Sequence, residues 1–227
     1  MSRAFYLSGM VFLLLAVILS FLASISLPYL TALDVVRVKF NGNSLFRTGA
    51  DELREVRWGI WGPCRYDGNL KRTCFHTGHG YAVGPITTDE GESVTIGAAW
   101  TRGLAIHPVA TGVVAIAAGL AASKWEHGPI AASLTSFLAA LILLIAFAID
   151  LALFVFVHHE IGRLDDVQAN VHAGAAFWMN LVALILVLLA ACTVCFGRRK
   201  ESGNDAYPMF SKTSGSGGGF LSRFRRN

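Results

Sequence analysis

The stretch IAASLTSFLAALILLIAFAIDLALFVF, residues 130–156, carries a single ionisable side chain, Asp150. A helix needs about 20 apolar residues to cross roughly 30 Å of hydrocarbon, so this stretch reads as a membrane span. Working outward, three more stretches meet the same criterion, at residues 5–30, 104–122 and 173–196. The first and last hold no charge, and the second holds His107 as its one ionisable group. The whole chain is 54% hydrophobic and 15% charged, where a soluble domain carries about 25% charged residues. The apolar run at 5–30 outlasts the roughly 7 to 15 residues of a signal-peptide core, so it reads as a retained span. The expected fold class is therefore an all-α transmembrane four-helix bundle.

Basic residues set the expected orientation. Arg198, Arg199 and Lys200 follow the last span directly, and Arg223, Arg225 and Arg226 close the chain. That places the tail in the cytoplasm and, with four spans, the N-terminus beside it. The chain then divides into a cytoplasmic N-terminus and first span (1–30), an extracellular loop domain (31–103), a second span (104–122), a cytoplasmic turn (123–129), a third span (130–156), a second outer loop (157–172), a fourth span (173–196) and a flexible basic tail (197–227). The net charge of +4 sits mostly in the tail and gives no reason to expect nucleic acid. Residues 214–219 are all Gly and Ser, a flexible linker. The terminal arginines interleave with Phe220, Leu221 and Phe224, which suits contact with anionic lipid or, equally, a solubilising end.

The first outer loop is too long for a plain connection and has the texture of a folded domain. Val36, Val38 and Phe40 alternate with Val35, Arg37 and Lys39, and Val56, Trp58 and Ile60 alternate with Glu55, Arg57 and Gly59; both patterns predict strands. Further short strands are expected at Cys74 to Phe75 and Tyr81 to Val83, with glycines at the turns. A small antiparallel sheet standing on the outer helix ends is the simplest assembly, with Trp58 and Trp61 in the loop core.

Cys64 and Cys74 are the cysteines of this loop and enclose nine residues. On an oxidising side of the membrane they predict a disulfide, worth roughly 3 kcal/mol in the chain-entropy model. With those thiols bonded to each other, the nearby His76 and His79 lack partners for zinc, and no metal or other cofactor is expected. Cys192 and Cys195 lie beside the basic cluster after the last span. They suit S-acylation or, equally, packing as small apolar groups.

A carboxylate in hydrocarbon is costly, so Asp150 should face the bundle interior and find a partner. The third span runs outward and the second inward, which brings Asp150 and His107 to similar depth. We expect them to face each other, directly or through water; the plainer reading makes Asp150 a hydrogen-bonded packing group. Asn180 can bond between helices in the same way. Thr111, Ala115 and Gly119 recur at every fourth residue of the second span, a spacing that permits close helix approach; packing within the bundle is expected of them, with dimerisation the lesser alternative. His158, His159 and Glu160 form a cluster at the outer boundary with no further convergent ligand. No phosphate loop, H-E-x-x-H or G-x-S-x-G is present, and these motifs carry the common catalytic sets. The chain also lacks an N-x-S/T sequon.

Gly59-Ile60-Trp61-Gly62-Pro63-Cys64, followed by Cys74 within the first of two outer loops, resembles the tetraspan claudin-type superfamily. Cys74 followed by Gly80-Tyr81, and the run from Arg102 to Ala110 with His107-Pro108 at its centre, resemble the fungal SUR7/PalI family more closely. The resemblance covers residues 5–196 and implies a claudin-like sheet over a four-helix bundle joined by the Cys64–Cys74 disulfide. It also implies a plasma-membrane protein tied to cortical domains, cell-wall integrity or ambient-pH signalling. The short tail departs from the longer cytoplasmic extensions of many PalI-like members.

The function expected from all this is a non-catalytic membrane organiser or accessory subunit. Its partners would be the lipid bilayer, a larger membrane protein or further copies of itself, and cell wall or another ectodomain. The alternative is a pH or stress signalling component; a small transporter is the least supported, because one carboxylate makes a thin polar lining.

Overall fold

The computed structural model describes residues 3–40, 47–48, 51–69, 71–87, 93–123, 128–163 and 169–204. Helix α1 spans Arg3–Ser24, the short α2 Ala98–Arg102, α3 Ile106–Ala122, α4 Gly128–Ile161 and α5 Ala175–Asn204. Among the described residues, four segments are long and apolar enough to cross a membrane: Leu7–Ser24, Ala98–Ala122, Ala131–Ile161 and Ala175–Thr193. α1 packs against α3 and α5, and α4 packs against the same two, so the four long helices close into a ring. Small side chains line its centre, among them Ala16, Ala110, Ala117, Ala139, Ala183 and Ala190, with Leu13, Leu143 and Val187 between them. Without a hydrophobic force between helices in lipid, such close backbone approach supplies the packing attraction. At the α1–α5 contact, a Cβ on Gly9 would sit 2.7 Å from Thr193 Oγ1. The outward faces are leucine, isoleucine, valine and phenylalanine, an apolar surface far larger than a soluble monomer exposes.

The helix limits differ from the expected spans. The first helix stops at Ser24 rather than residue 30, because residues 25–33 turn back under the sheet through a cis Leu27–Pro28 bond. The second begins earlier, as α2 and a 3₁₀ turn at Gly103–Ala105 feed directly into α3. α4 runs beyond residue 156 to Ile161. α5 starts after Gly174 and continues to Asn204, so residues 197–204 of the expected flexible tail are helical; Arg198, Arg199, Lys200 and Glu201 are good helix formers. The Gly/Ser linker and Arg223, Arg225 and Arg226 lie outside the described residues, as does most of the 123–129 turn.

Among the described residues, eight strands form one antiparallel sheet at one end of the bundle: β1 Val36–Phe40, β2 Arg47–Thr48, β3 Asp51–Trp58, β4 Pro63–Asp67, β5 Arg72–Cys74, β6 Val83–Thr87, β7 Ser93–Ile96 and β8 Ala169–Ala173. The order is β5-β4-β3-β2-β6-β7, and β1 pairs with both β3 and β8. Two expected strands moved: the one at Cys74 to Phe75 ends at Cys74, and the one at Tyr81 to Val83 begins at Val83. β8 falls within the second outer loop and joins that loop to the first, with Val36 opposite Ala173 and Phe40 opposite Ala169. Val36, Val38, Val56, Trp58, Val83 and Ile96 pack down onto Leu104, Leu153 and Val157 at the helix ends. Each such side chain contributes about 1.5 to 3 kcal/mol when fully buried. Cys64 and Cys74 stand opposite each other on β4 and β5, their Cα atoms 4.1 Å apart, and form the disulfide.

The small-residue spacing in α3 has a different meaning from the expected one. Ala115 and Gly119 face outward together with Gly112, Val109 and Ile116, and a Cβ added at Gly119 would meet nothing within 4 Å. The face turned to the bundle is His107, Ala110, Val114, Ala117 and Ala118. The rotation of the helix is fixed by His107, which must point inward to reach its partner. Thr111, half-buried between the faces, returns its hydroxyl to the His107 carbonyl at 3.0 Å.

Candidate functional site

The motif Trp58 to Cys64 explains how the sheet is seated. β3 ends at Trp58 because the next residues turn against the end of α1. Trp61 Nε1 donates to the Ser24 carbonyl at 2.7 Å, satisfying a helix C-terminal acceptor. Ile60 N donates to Ser26 Oγ at 3.1 Å and Trp61 N to the Leu27 carbonyl at 3.2 Å. Glycine is needed at 59 because a Cβ there would lie 2.8 Å from Leu27 Cα, and at 62 because it would collide with the Phe75 carbonyl. Trp58 is fully buried in the sheet core, while Trp61 is half-buried at the seam between sheet and helix.

Tyr81 ties the other side. Its hydroxyl donates to the Gly59 carbonyl at 2.5 Å, and its own carbonyl accepts from Thr101 Oγ1 on α2. Burial pushes the Tyr81 phenol well above its ordinary value.

Beneath the sheet, three helices place one polar side chain each at a common point. His107 stands in the first turn of α3, where Pro108 gives up an N–H that the helix does not use. His107 Nε2 lies 3.0 Å from Asp150 Oδ1 on α4, and Asn180 Nδ2 on α5 donates to Asp150 Oδ2 at 3.0 Å. All three are buried, His107 at 3% exposure and the others at none. One proton lies between imidazole and carboxyl, held by either according to tautomer and ionisation. Asn180 Oδ1 is a buried acceptor without a partner among the described residues. The trio fastens α3, α4 and α5 at the sheet end of the ring.

A second polar array lies on the sheet face turned away from the bundle. Arg37 pairs with Asp34, through Nε to Oδ2 and Nη2 to Oδ1, both 2.8 Å, and reaches Glu55 at 3.4 Å. Arg57 contacts Glu55 at 2.7 Å and stacks over Tyr66, 4.6 Å from its ring centroid. The hydrogen bond to Asp34 raises the Arg37 pKa, opposed by desolvation. On the other face, opposite Val56, burial lowers the pKa of Arg65, whose guanidinium lies over Phe75.

The remaining residues singled out from the sequence lie apart. Cys192 is exposed on α5; Cys195, Arg198, Arg199 and Lys200 follow it on the same helix, with side chains outside the described residues. His158 and His159 are exposed at the end of α4, where Glu160 meets Arg163 at 3.8 Å, a surface pair of small energetic value. Among the described residues no group of three His, Cys, Asp or Glu side chains could hold a metal ion. Sequence reasoning missed Asp34, wholly buried at the junction of sheet and α5. The available signal was an acidic residue directly before a strand carrying Arg37 and Lys39.

Compared with the curated proteins, the chain matches none. The model of the SUR7/PalI family matches residues 5–190, from the first span through nearly all of the last. That match takes in the disulfide, the Trp58 to Cys64 seat and the His107–Asp150–Asn180 trio alike, and the chain therefore belongs to the SUR7/PalI family of multi-pass membrane proteins.

Proposed function

We propose that this family member is a non-catalytic organiser or accessory subunit of the plasma membrane, acting through its sheet and through lateral helix contacts. The observation that carries the reading is the pairing of β1 with β8. It fuses both loops into one platform seated on the bundle, with a charged outer face suited to cell wall or a partner's ectodomain. The sheet is extracellular in this reading and both termini cytoplasmic, which agrees with a disulfide formed in an oxidising space. Acylation of Cys192 and Cys195 and contact of the basic tail with anionic lipid would act on the opposite leaflet. A transporter is disfavoured because packed, mutually bonded side chains occupy the bundle at His107, Asp150 and Asn180. Purification in mild detergent with cross-linking tests the proposal. A stoichiometric larger membrane partner, or a defined homo-oligomer, is expected; an isolated monomer that moves solute past Asp150 in vesicles would replace it with transport.

The His107–Asp150 contact favours a second reading, a component that responds to ambient pH. A cellular pH response that persists after both residues are substituted would remove that role.

A further inference from the structure

A groove of about 360 Å³ opens where the sheet meets the start of α5. Arg37 and Lys39 of β1 form one wall, His172 of β8 stands opposite Arg37 in register, and Gly174 and Ala175 form the floor. Trp178, 55% exposed in the first turn of α5, makes the lip. Glycine is required in that floor, since a Cβ at 174 would lie 2.7 Å from Asp34 Cγ.

Among the described residues the charges around the groove do not cancel. Asp34 and Glu55 are matched by Arg37 and Arg57. Lys39 and His172 have no carboxylate partner among the described residues. Arg37 spends two of its N–H groups on Asp34, and a guanidinium has five. Among the described residues the groove therefore presents donors and surplus positive charge, Glu55 opposite Lys39 being engaged by Arg37 and Arg57.

Its position selects the occupant. Trp178 lies in the first turn of the membrane-spanning segment Ala175–Thr193, the level at which tryptophan settles among lipid headgroups. Below it Val182, Ile185 and Leu189 are exposed, spaced to continue the strip from Trp178 down one face of the helix. A basic groove directly above an apolar, lipid-facing strip is complementary to an amphiphile with an anionic head. A soluble anion would leave the strip unused, and an acidic peptide would not need to reach the bilayer surface.

From this arrangement we infer that the groove binds the headgroup phosphate of an anionic phospholipid in the leaflet on the sheet side, its acyl chains lying along α5. The inference stands independently of the organiser role. It is tested with the full-length protein in phosphatidylcholine nanodiscs, a minor fraction of the lipid being either phosphatidylglycerol or phosphatidylcholine with brominated chains. The Trp178 contribution is taken as the difference from Trp178→Phe. Quenching about twofold stronger with the brominated anionic lipid is expected, lost in the Lys39→Ala/His172→Ala double variant and retained in Lys71→Ala, on the distant β4–β5 turn. Native mass spectrometry supplies an arm that does not depend on Trp178: phosphatidylglycerol should survive detergent exchange on the wild type and be lost from the double variant. Equal quenching by both lipids, or anionic-lipid retention that survives the double substitution, would overturn the inference. So would excess quenching abolished by millimolar inorganic phosphate alone, which would make the groove a free-anion site.

Discussion

Arg37 grips Asp34 with two hydrogen bonds of 2.8 Å, and the Asp34 carboxylate is wholly buried behind them. The Asp34 backbone carbonyl also accepts from Ala176 N at 3.0 Å, so a single residue fixes β1, Arg37 and the start of α5. Removing one partner of a buried pair costs about 3 to 5 kcal/mol, and the partial exposure of Arg37 places Asp34→Leu near the lower end. Arg37→Lys should be milder, since an ammonium cannot supply the parallel pair of N–H groups. Thermal unfolding in detergent, followed by proteolysis of the loop domain, measures both.

His107 and Asp150 should be energetically coupled. Asp150→Ala strips partners from His107 and Asn180 together, at about 1 to 3 kcal/mol for each buried group left unpaired. His107→Ala with Asp150→Ala should therefore cost less than the two single changes added, by about 0.5 to 3 kcal/mol. A double-mutant cycle on stability in detergent reads the coupling; strict additivity would mean that the contact contributes nothing.

Glycine replacements distinguish the two ends of the molecule. Gly59→Ala forces a methyl into Leu27 backbone and should release the sheet from α1, seen as faster cleavage of the loop domain. Gly119→Ala faces open space and should gain up to about 1 kcal/mol from helix propensity. The pair is best compared by protease protection and melting temperature.

Tyr81 predicts an alkaline limit. The folded state holds its phenol neutral, with a pKa raised by burial, whereas the unfolded chain ionises near 10. The contribution is therefore complete below about pH 10 and declines above it, by up to about 1.4 kcal/mol per pH unit. Tyr81→Phe should start less stable, lacking the bond to Gly59, yet lose less between pH 10 and 12; unfolding midpoints across that range test the sign.

The spans were legible because length and apolar content suffice to identify them, and depth along two antiparallel spans was enough to pair His107 with Asp150. Periodicity groups Thr111, Ala115 and Gly119 on one face but carries no information about where that face points. The strand at Ala169–Ala173 was hidden for another reason: ANVHA has little β propensity of its own, and its strand state is imposed by β1, far away in sequence. β4 was obscured in the same way, beginning at Pro63 and lacking a clean alternation. The trio was only partly legible, since Asn180 declares an interhelical bond without naming its acceptor.

The β1–β8 ladder has a mechanical consequence. β1 follows from α1, β7 leads into α2 and α3, and β8 sits between α4 and α5, so every long helix is attached to the same plate. A sideways load on the plate is shared among all four, and tilting one helix alone would require a row of backbone hydrogen bonds to shear. Such a body leans as a unit rather than one helix at a time.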